Sequence, residues 1–221
     1  MSNEPKWIDD TESLVRELQR LGSDGFSVDT EADSMHHFQE KVCLIQISNP
    51  GVDLLIDPLA EIDLEMLGAL LADPTSRKIL HGADYDVRML QRDFSFEIRG
   101  LYDTMIAARL AGESAFGLAA LLDKYIGVKL DKQFQRADWS IRPLSGPMLQ
   151  YASSDTHYLE ELRQSSTANS NRWAVSIGPR KSSSDWNRCA RALRCRLKKL
   201  TVGSRAWGGS TVVLSPYCGN W

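Results

Sequence analysis

The stretch GFSVDTEADS, residues 25–34, decides the fold. It begins as an alternating strand, with Phe26, Val28 and Thr30 on one side and Ser27, Asp29 and Glu31 on the other, because successive side chains of a strand point to opposite faces. Two carboxylates thus project from one face, and the opposite face is suited to a core.

On the downstream side, VCLIQIS (42–48) is rich in β-formers, Asn49-Pro50-Gly51 is a turn, and VDLLIDP (52–58) reads as another strand. Residues 26–57 are therefore expected to form a three-stranded antiparallel meander. A helix over Leu64 to Leu71 follows, stopped by Asp73-Pro74, then a short apolar strand KILHG (78–82) and a helical stripe of Val87, Leu90 and Phe94. Leu118, Leu121, Leu122 and Tyr125 mark a further helix that Gly127 closes. Residues 130–146 are polar and suit a surface loop, and a last helix is expected from Ser145 or Pro147 through Leu162. Upstream, Leu14, Val15, Leu18 and Leu21 give a short amphipathic helix ended by Gly22 and Gly25. A meander followed by strands alternating with helices implies an α/β fold, a mixed sheet flanked by helices.

The chain has 221 residues, 43% of them hydrophobic and 25% charged, a composition suited to one soluble globular domain. No apolar run approaches the roughly 18 residues needed to span a bilayer, and the start MSNEPKWIDD is acidic where a signal peptide would be basic. A cytoplasmic protein with reduced thiols is expected, with no membrane association. The formal charge of -3 conceals an asymmetry. Residues 164–221 hold ten Lys and Arg against the single acid Asp185, which leaves 16 basic and 28 acidic residues upstream: a body at -12 and a tail at +9. Cys43 lies in the body, whereas Cys189, Cys195 and Cys218 lie in the tail, and none forms the CxxC spacing of a zinc site.

The residues that carry chemistry are Asp29 and Glu31 on their strand, Asp86 near a strand-to-helix junction, and Tyr151 and Asp155 one helical turn apart. Taken singly, each has a plain structural explanation: an acid at a strand end is commonly a solvated cap, and a Tyr above an Asp is commonly the edge of a core. Together they say more. Like charges crowded at the centre of a sheet repel, and they persist when a cation neutralises them. Hard oxygen ligands favour Mg²⁺ or Mn²⁺. Four carboxylates are the usual means of holding two such ions roughly 3.5–4 Å apart, the arrangement that stabilises an in-line phosphoryl displacement.

VDTEADS (28–34), HGADYDVRML (81–90) and YASSDTHYLEEL (151–162) resemble, in order and spacing, the three exonuclease motifs of the DEDD superfamily of 3′→5′ exonucleases. VCLIQIS (42–48), DTMIAARL (103–110) and LDKQFQRADWSIRPL (130–144) resemble connecting segments of its ribonuclease D branch, so the likeness covers about residues 24–163. The resemblance implies a ribonuclease H-like fold and two-metal hydrolysis, with Mg²⁺ or Mn²⁺ as cofactors, that releases nucleoside 5′-monophosphates from an RNA 3′ end, as in tRNA processing. It implies Asp29, Glu31, Asp86 and Asp155 as metal ligands, with Asp86 preferred to Asp84 because it stands five residues after His81. Tyr151, four before Asp155, marks the tyrosine subclass and would orient the attacking water; the histidine subclass would need His where Gln150 stands. Lys132, Trp139 and Arg142 are candidates for contacting nucleic acid, although a Trp capping the core is an equal reading. An acidic body is unusual for a nuclease, and two divalent ions offset part of its charge. A single-stranded RNA 3′ end is the expected partner, and no obligate protein partner is expected.

Residues 1–163 are thus expected to form the exonuclease domain, and 164–221 a basic tail rich in Ser, Arg and Trp. Ribonuclease D usually continues with a helical nucleic-acid-binding domain, which this tail does not resemble. Three readings compete, a stretch out of its original frame ahead of a basic RNA-binding extension and then a divergent small domain. Two alternatives to the exoribonuclease reading stay open: a catalytically weak RNA-binding module lacking its auxiliary domain, and a DNA exonuclease of the same superfamily.

Overall fold

The computed structural model describes residues 4–21 and 25–168. The elements run β1 (Lys6–Ile8), α1 (Thr11–Leu18), β2 (Phe26–Ala32), β3 (Val42–Asn49), β4 (Val52–Ile56), α2 (Glu65–Ala72), β5 (Lys78–Leu80), α3 (Asp84–Phe94), β6 (Leu101–Asp103), α4 (Thr104–Leu110), α5 (Leu118–Tyr125), α6 (Gly146–His157) and α7 (Leu159–Ala168). The expectations for Gly22 and for the tail beyond residue 168 lie outside the described residues.

The strands make one mixed sheet in the order β1-β4-β3-β2-β5-β6. The meander forms as expected: β2 pairs antiparallel with β3, and β3 with β4. β5 then adds parallel to β2, and β6 parallel to β5. Gly25 starts β2 with φ +111, and a Cβ there would meet the Arg77 carbonyl oxygen at 2.5 Å, so only glycine lets the two chains approach this closely.

Both faces of the sheet are covered. Phe26, Val28, Ile45, Ile47 and Leu80 pack with Leu14, Leu67 and Leu90 of α1, α2 and α3. On the opposite face Leu44 and Leu55 meet Trp139, Tyr151 and Ala152, while Ile79 meets Ala108, Leu121, Leu122, Leu159 and Leu162. Asp29 and Glu31 lie on this second face, since they alternate with Val28 and Thr30.

The structure departs from the sequence reading at four places. β1 and β6 are edge strands of three residues each, too short to show a period of two. α4 follows β6 directly, with Asp103 as its cap. The last helix is two: α6 ends at His157, whose ring is held by Asp53 at 2.8 Å, and α7 turns Leu159 and Leu162 into a separate apolar cluster. The loop at 130–146 is only partly a surface loop, because Trp139 is 1% exposed and Leu144 is buried. Arg142 locks this loop in place by a bidentate pair to Asp57 at 2.7 Å.

Candidate active site

β2 carries Asp29 and Glu31 toward α6, and the N-terminal turn of α3 brings Asp86 to the other side of the same strand. Thr30 joins the two sides. Lying between the two acids and facing the opposite way, it donates its hydroxyl to Asp86 Oδ1 at 2.5 Å in a buried bond. α6 crosses β2, β3 and β4 and supplies Tyr151 and Asp155 at i, i+4. Its start is fixed by Ser145, whose hydroxyl accepts from Met148 N, with Pro147 in the first turn.

The turn between β5 and α3 is pinned by one side chain. Asp103 accepts from Gly82 N at 3.1 Å and Ala83 N at 2.9 Å, and it also caps α4 by accepting from Met105 N and Ile106 N. The position of Asp86 thus depends on a residue seventeen places further along the chain. His81 closes the other flank, its Nδ1 2.9 Å from the Thr104 hydroxyl, which itself donates to the Leu80 carbonyl.

A cleft of about 470 Å³ is lined by Asp29, Glu31, His81, Lys132, Tyr151 and Asp155, among others. Four of the five predicted catalytic residues therefore share one cavity, and the fifth, Asp86, is hydrogen-bonded to Thr30, which also lines it. Lys132 is exposed at the rim of the cleft. Trp139 and Arg142 are not on its wall. Trp139 is buried against Tyr151, ring centres 6.0 Å apart. Arg142 spends its donors on Asp57 and on the carbonyls of Cys43, Trp139 and Ile141, so it has none left for a phosphate. The buried anchor explains the sequence pattern that had suggested RNA contacts for both residues.

The electrostatics of the cleft follow from burial and crowding. Loss of solvent, then repulsion from Asp86, Asp155 and Glu31, pushes the Asp29 carboxyl well above the ordinary range. Glu31 is pushed up to about 9 by burial and by Asp155 and Asp86. Burial raises Asp155 to about 7 against the opposing hydrogen bond from the Tyr151 hydroxyl, and raises Asp86 to about 6 against the bond from Thr30. Tyr151 is raised too, by burial and by the Asp155, Glu31 and Asp29 charges, so its phenol keeps its proton at neutral pH.

Those shifts reflect crowded, buried carboxyls without a counter-charge: among the described residues no Lys or Arg forms an ion pair with any of the four. Among the described residues no three His, Cys, Asp or Glu side chains are gathered, as they stand, into a group that could hold a metal ion. The donor set itself fits hard divalent cations: all four side chains offer carboxylate oxygens, three of them open on the cleft, and each needs positive charge to ionise there. Sequence reasoning missed Thr30 and Asp103. Only the position of Thr30 between two acids hinted at a role, and nothing in the chain linked it to Asp86.

Comparison with known proteins identifies the family and the fold. A family model described as 3′-5′ exonuclease matches residues 5–167. The chain is 44% identical over 140 residues to exosome complex component 10 of Rattus norvegicus, covering 63% of this chain and 16% of that protein. Among solved structures, the catalytic core of RRP6 from Trypanosoma brucei superposes with a TM-score of 0.69 at 31% identity, covering 78% of this chain and 52% of that one. Escherichia coli RNase D, described as an exoribonuclease involved in structured RNA processing, gives 0.69 at 26% identity and covers 92% and 52%. The chain spans less than a fifth of the rat protein's length. The expectation that no obligate protein partner exists is overturned by that relative, which is named as a component of a protein complex. Among the described residues no helix is long and apolar enough to cross a membrane.

Proposed function

The chain belongs to the 3′–5′ exonuclease family, and from that premise we propose that it is a metal-dependent exoribonuclease that hydrolyses phosphodiester bonds at RNA 3′ ends and releases nucleoside 5′-monophosphates. The observation that carries the reading is the convergence of Asp29, Glu31, Asp155 and Tyr151 on one cleft, with Asp86 bonded through Thr30 at its back. Asp29 would bridge two divalent ions, Mg²⁺ or Mn²⁺. Glu31 and Asp155 would hold the one nearer the attacking water, and Asp86 would help place the other. When bound, the ions stabilise negative charge on the attacking and leaving oxygens.

The Tyr151 hydroxyl, by donating a hydrogen bond to Asp155, would keep its oxygen free to accept a hydrogen bond from a water in the cleft. A phenol that stays protonated orients that water without competing as a base. Lys132, exposed at the rim of the cleft, would meet a backbone phosphate.

Likeness to an enzyme of structured RNA processing supports RNA 3′ ends such as those of tRNA precursors as substrate. Likeness to an exosome component supports a protein partner for the whole protein. Residues 1–163 and the rest of α7 form the proposed exonuclease domain. Cys43, buried and free, suits a reducing compartment such as the cytoplasm.

The test is incubation of matched 3′-labelled RNA and DNA oligonucleotides with Mg²⁺, Mn²⁺ or EDTA. Metal-dependent stepwise shortening of RNA is the expected result. Binding without shortening would replace the reading by an RNA-binding module, and a preference for DNA would make the chain a deoxyribonuclease of the same family.

A further inference from the structure

Gln46 is the least explained polar residue of the fold. It is 0% exposed at the middle of β3, and among the described residues neither its Nε2 nor its Oε1 has a hydrogen-bond partner. A buried primary amide with both ends unmade is costly, and native proteins keep few such groups without a ligand, water or ion to satisfy them. A Leu or Met would fill the same space without that penalty.

The register shows what the amide faces. Gln46 stands directly opposite Asp29 on β2 and opposite Leu55 on β4. Side chains paired in this way have Cβ atoms roughly 4.5–5.5 Å apart, within reach of a long polar side chain. On β3 and β4 the neighbouring side chains offer it nothing: Leu44 and Leu55 are apolar, Ser48 is bonded to Thr156 at 2.6 Å, and Asp53 is taken up by His157. Ala152 of α6 packs above the same patch. On β2 Ser27 and Glu31 share the face but stand diagonally, whereas Asp29 is directly opposite and is the carboxyl nearest in register.

We infer that Gln46 is the positioning residue for Asp29, its Nε2 donating to the Asp29 carboxylate oxygen that does not face the cleft when cations occupy the site. The inference rests on the proposed metal-dependent reading. It gives Asp29, which would bridge both ions, a fixed orientation. Buried hydrogen-bond partners of metal ligands typically change metal affinity or activity by roughly 10–100-fold when removed.

The test is Mn²⁺ titration of the full chain by calorimetry, alongside thermal midpoints in EDTA and steady-state kinetics on RNA, for wild type and Gln46→Met. Met is nearly isosteric and lacks the amide. The expected result is Mn²⁺ affinity weakened about tenfold or more, kcat lowered at unchanged KM, and a midpoint in EDTA equal to or above wild type. An amide that merely packs would give the reverse: a lowered midpoint with wild-type Mn²⁺ affinity, which overturns the inference. Gln46→Asn, which keeps an amide but withdraws it by one methylene, is expected to lose affinity as well; wild-type affinity there overturns the inference even if the Met variant does not fold. Absence of Mn²⁺ binding by the wild type would instead overturn the functional reading, and the inference with it.

Discussion

Replacing Thr30 with Val tests whether one hydroxyl tunes the acid behind the cleft. Val has nearly the shape of Thr and favours strands, so β2 should form unchanged, and only the 2.5 Å bond to Asp86 is lost. A hydrogen bond to a charged group contributes roughly 1.5–3 kcal/mol. Because about 1.4 kcal/mol is a tenfold change in proton binding, Asp86, about 6 in the wild type, should hold its proton roughly ten- to a hundredfold more tightly. At neutral pH it then passes from mostly ionised to half or more neutral. Activity of Thr30→Val at subsaturating Mn²⁺ should fall roughly two- to tenfold at pH 7 and recover toward wild type near pH 9. The assay is release of labelled mononucleotide across pH 6–9. A pH profile that overlays wild type would refute the argument, because Asp86 would then be indifferent to the Thr30 hydroxyl.

Tyr151→Phe keeps the ring packing against Phe134 and Trp139 but removes the hydroxyl, so kcat should drop by about two orders of magnitude with RNA affinity nearly unchanged; an unchanged kcat measured in single-turnover assays removes Tyr151 from the mechanism. Arg142→Ala leaves the buried Asp57 carboxylate uncompensated and should cost about 3 kcal/mol of stability in urea titration, while activity per folded molecule changes little, in contrast to what an RNA contact would give. Stability of the metal-free protein should fall with rising pH: Asp86, Asp155 and Glu31 bind protons more tightly folded than unfolded, so their contribution is full below about pH 4 and is lost as pH climbs through about 6, 7 and 9. Thermal midpoints in EDTA at pH 5, 7 and 9 check this, and a midpoint that rises over that range would contradict it.

The meander and the alternation on β2 were legible because a period of two over seven residues admits few other readings, and the face carrying Asp29 and Glu31 follows from that period alone. The acids of α3 and α6 were legible as types and spacings, and their meeting depended on the resemblance. What stayed hidden was set by distant partners. Arg142 looked like a phosphate contact because an Arg in a polar loop gives no sign that Asp57, 85 residues away, will engage it. Thr30 and Gln46 look like ordinary strand residues, and their surroundings exist only once β2, β3 and α3 have packed. The break at Tyr158 was invisible because the apolar spacing on its two sides suits one helix, whereas the sheet offers two separate clusters.

The central claim is that these carboxylates gather two divalent cations against Asp29. Anomalous diffraction from crystals of the full chain soaked in Mn²⁺ at pH 8 tests it most directly. The account predicts two manganese peaks in the cleft, both touching Asp29, with Glu31 and Asp155 at one and Asp86 nearer the other. A cleft without anomalous density at saturating Mn²⁺, or manganese bound only at surface acids elsewhere, would contradict it.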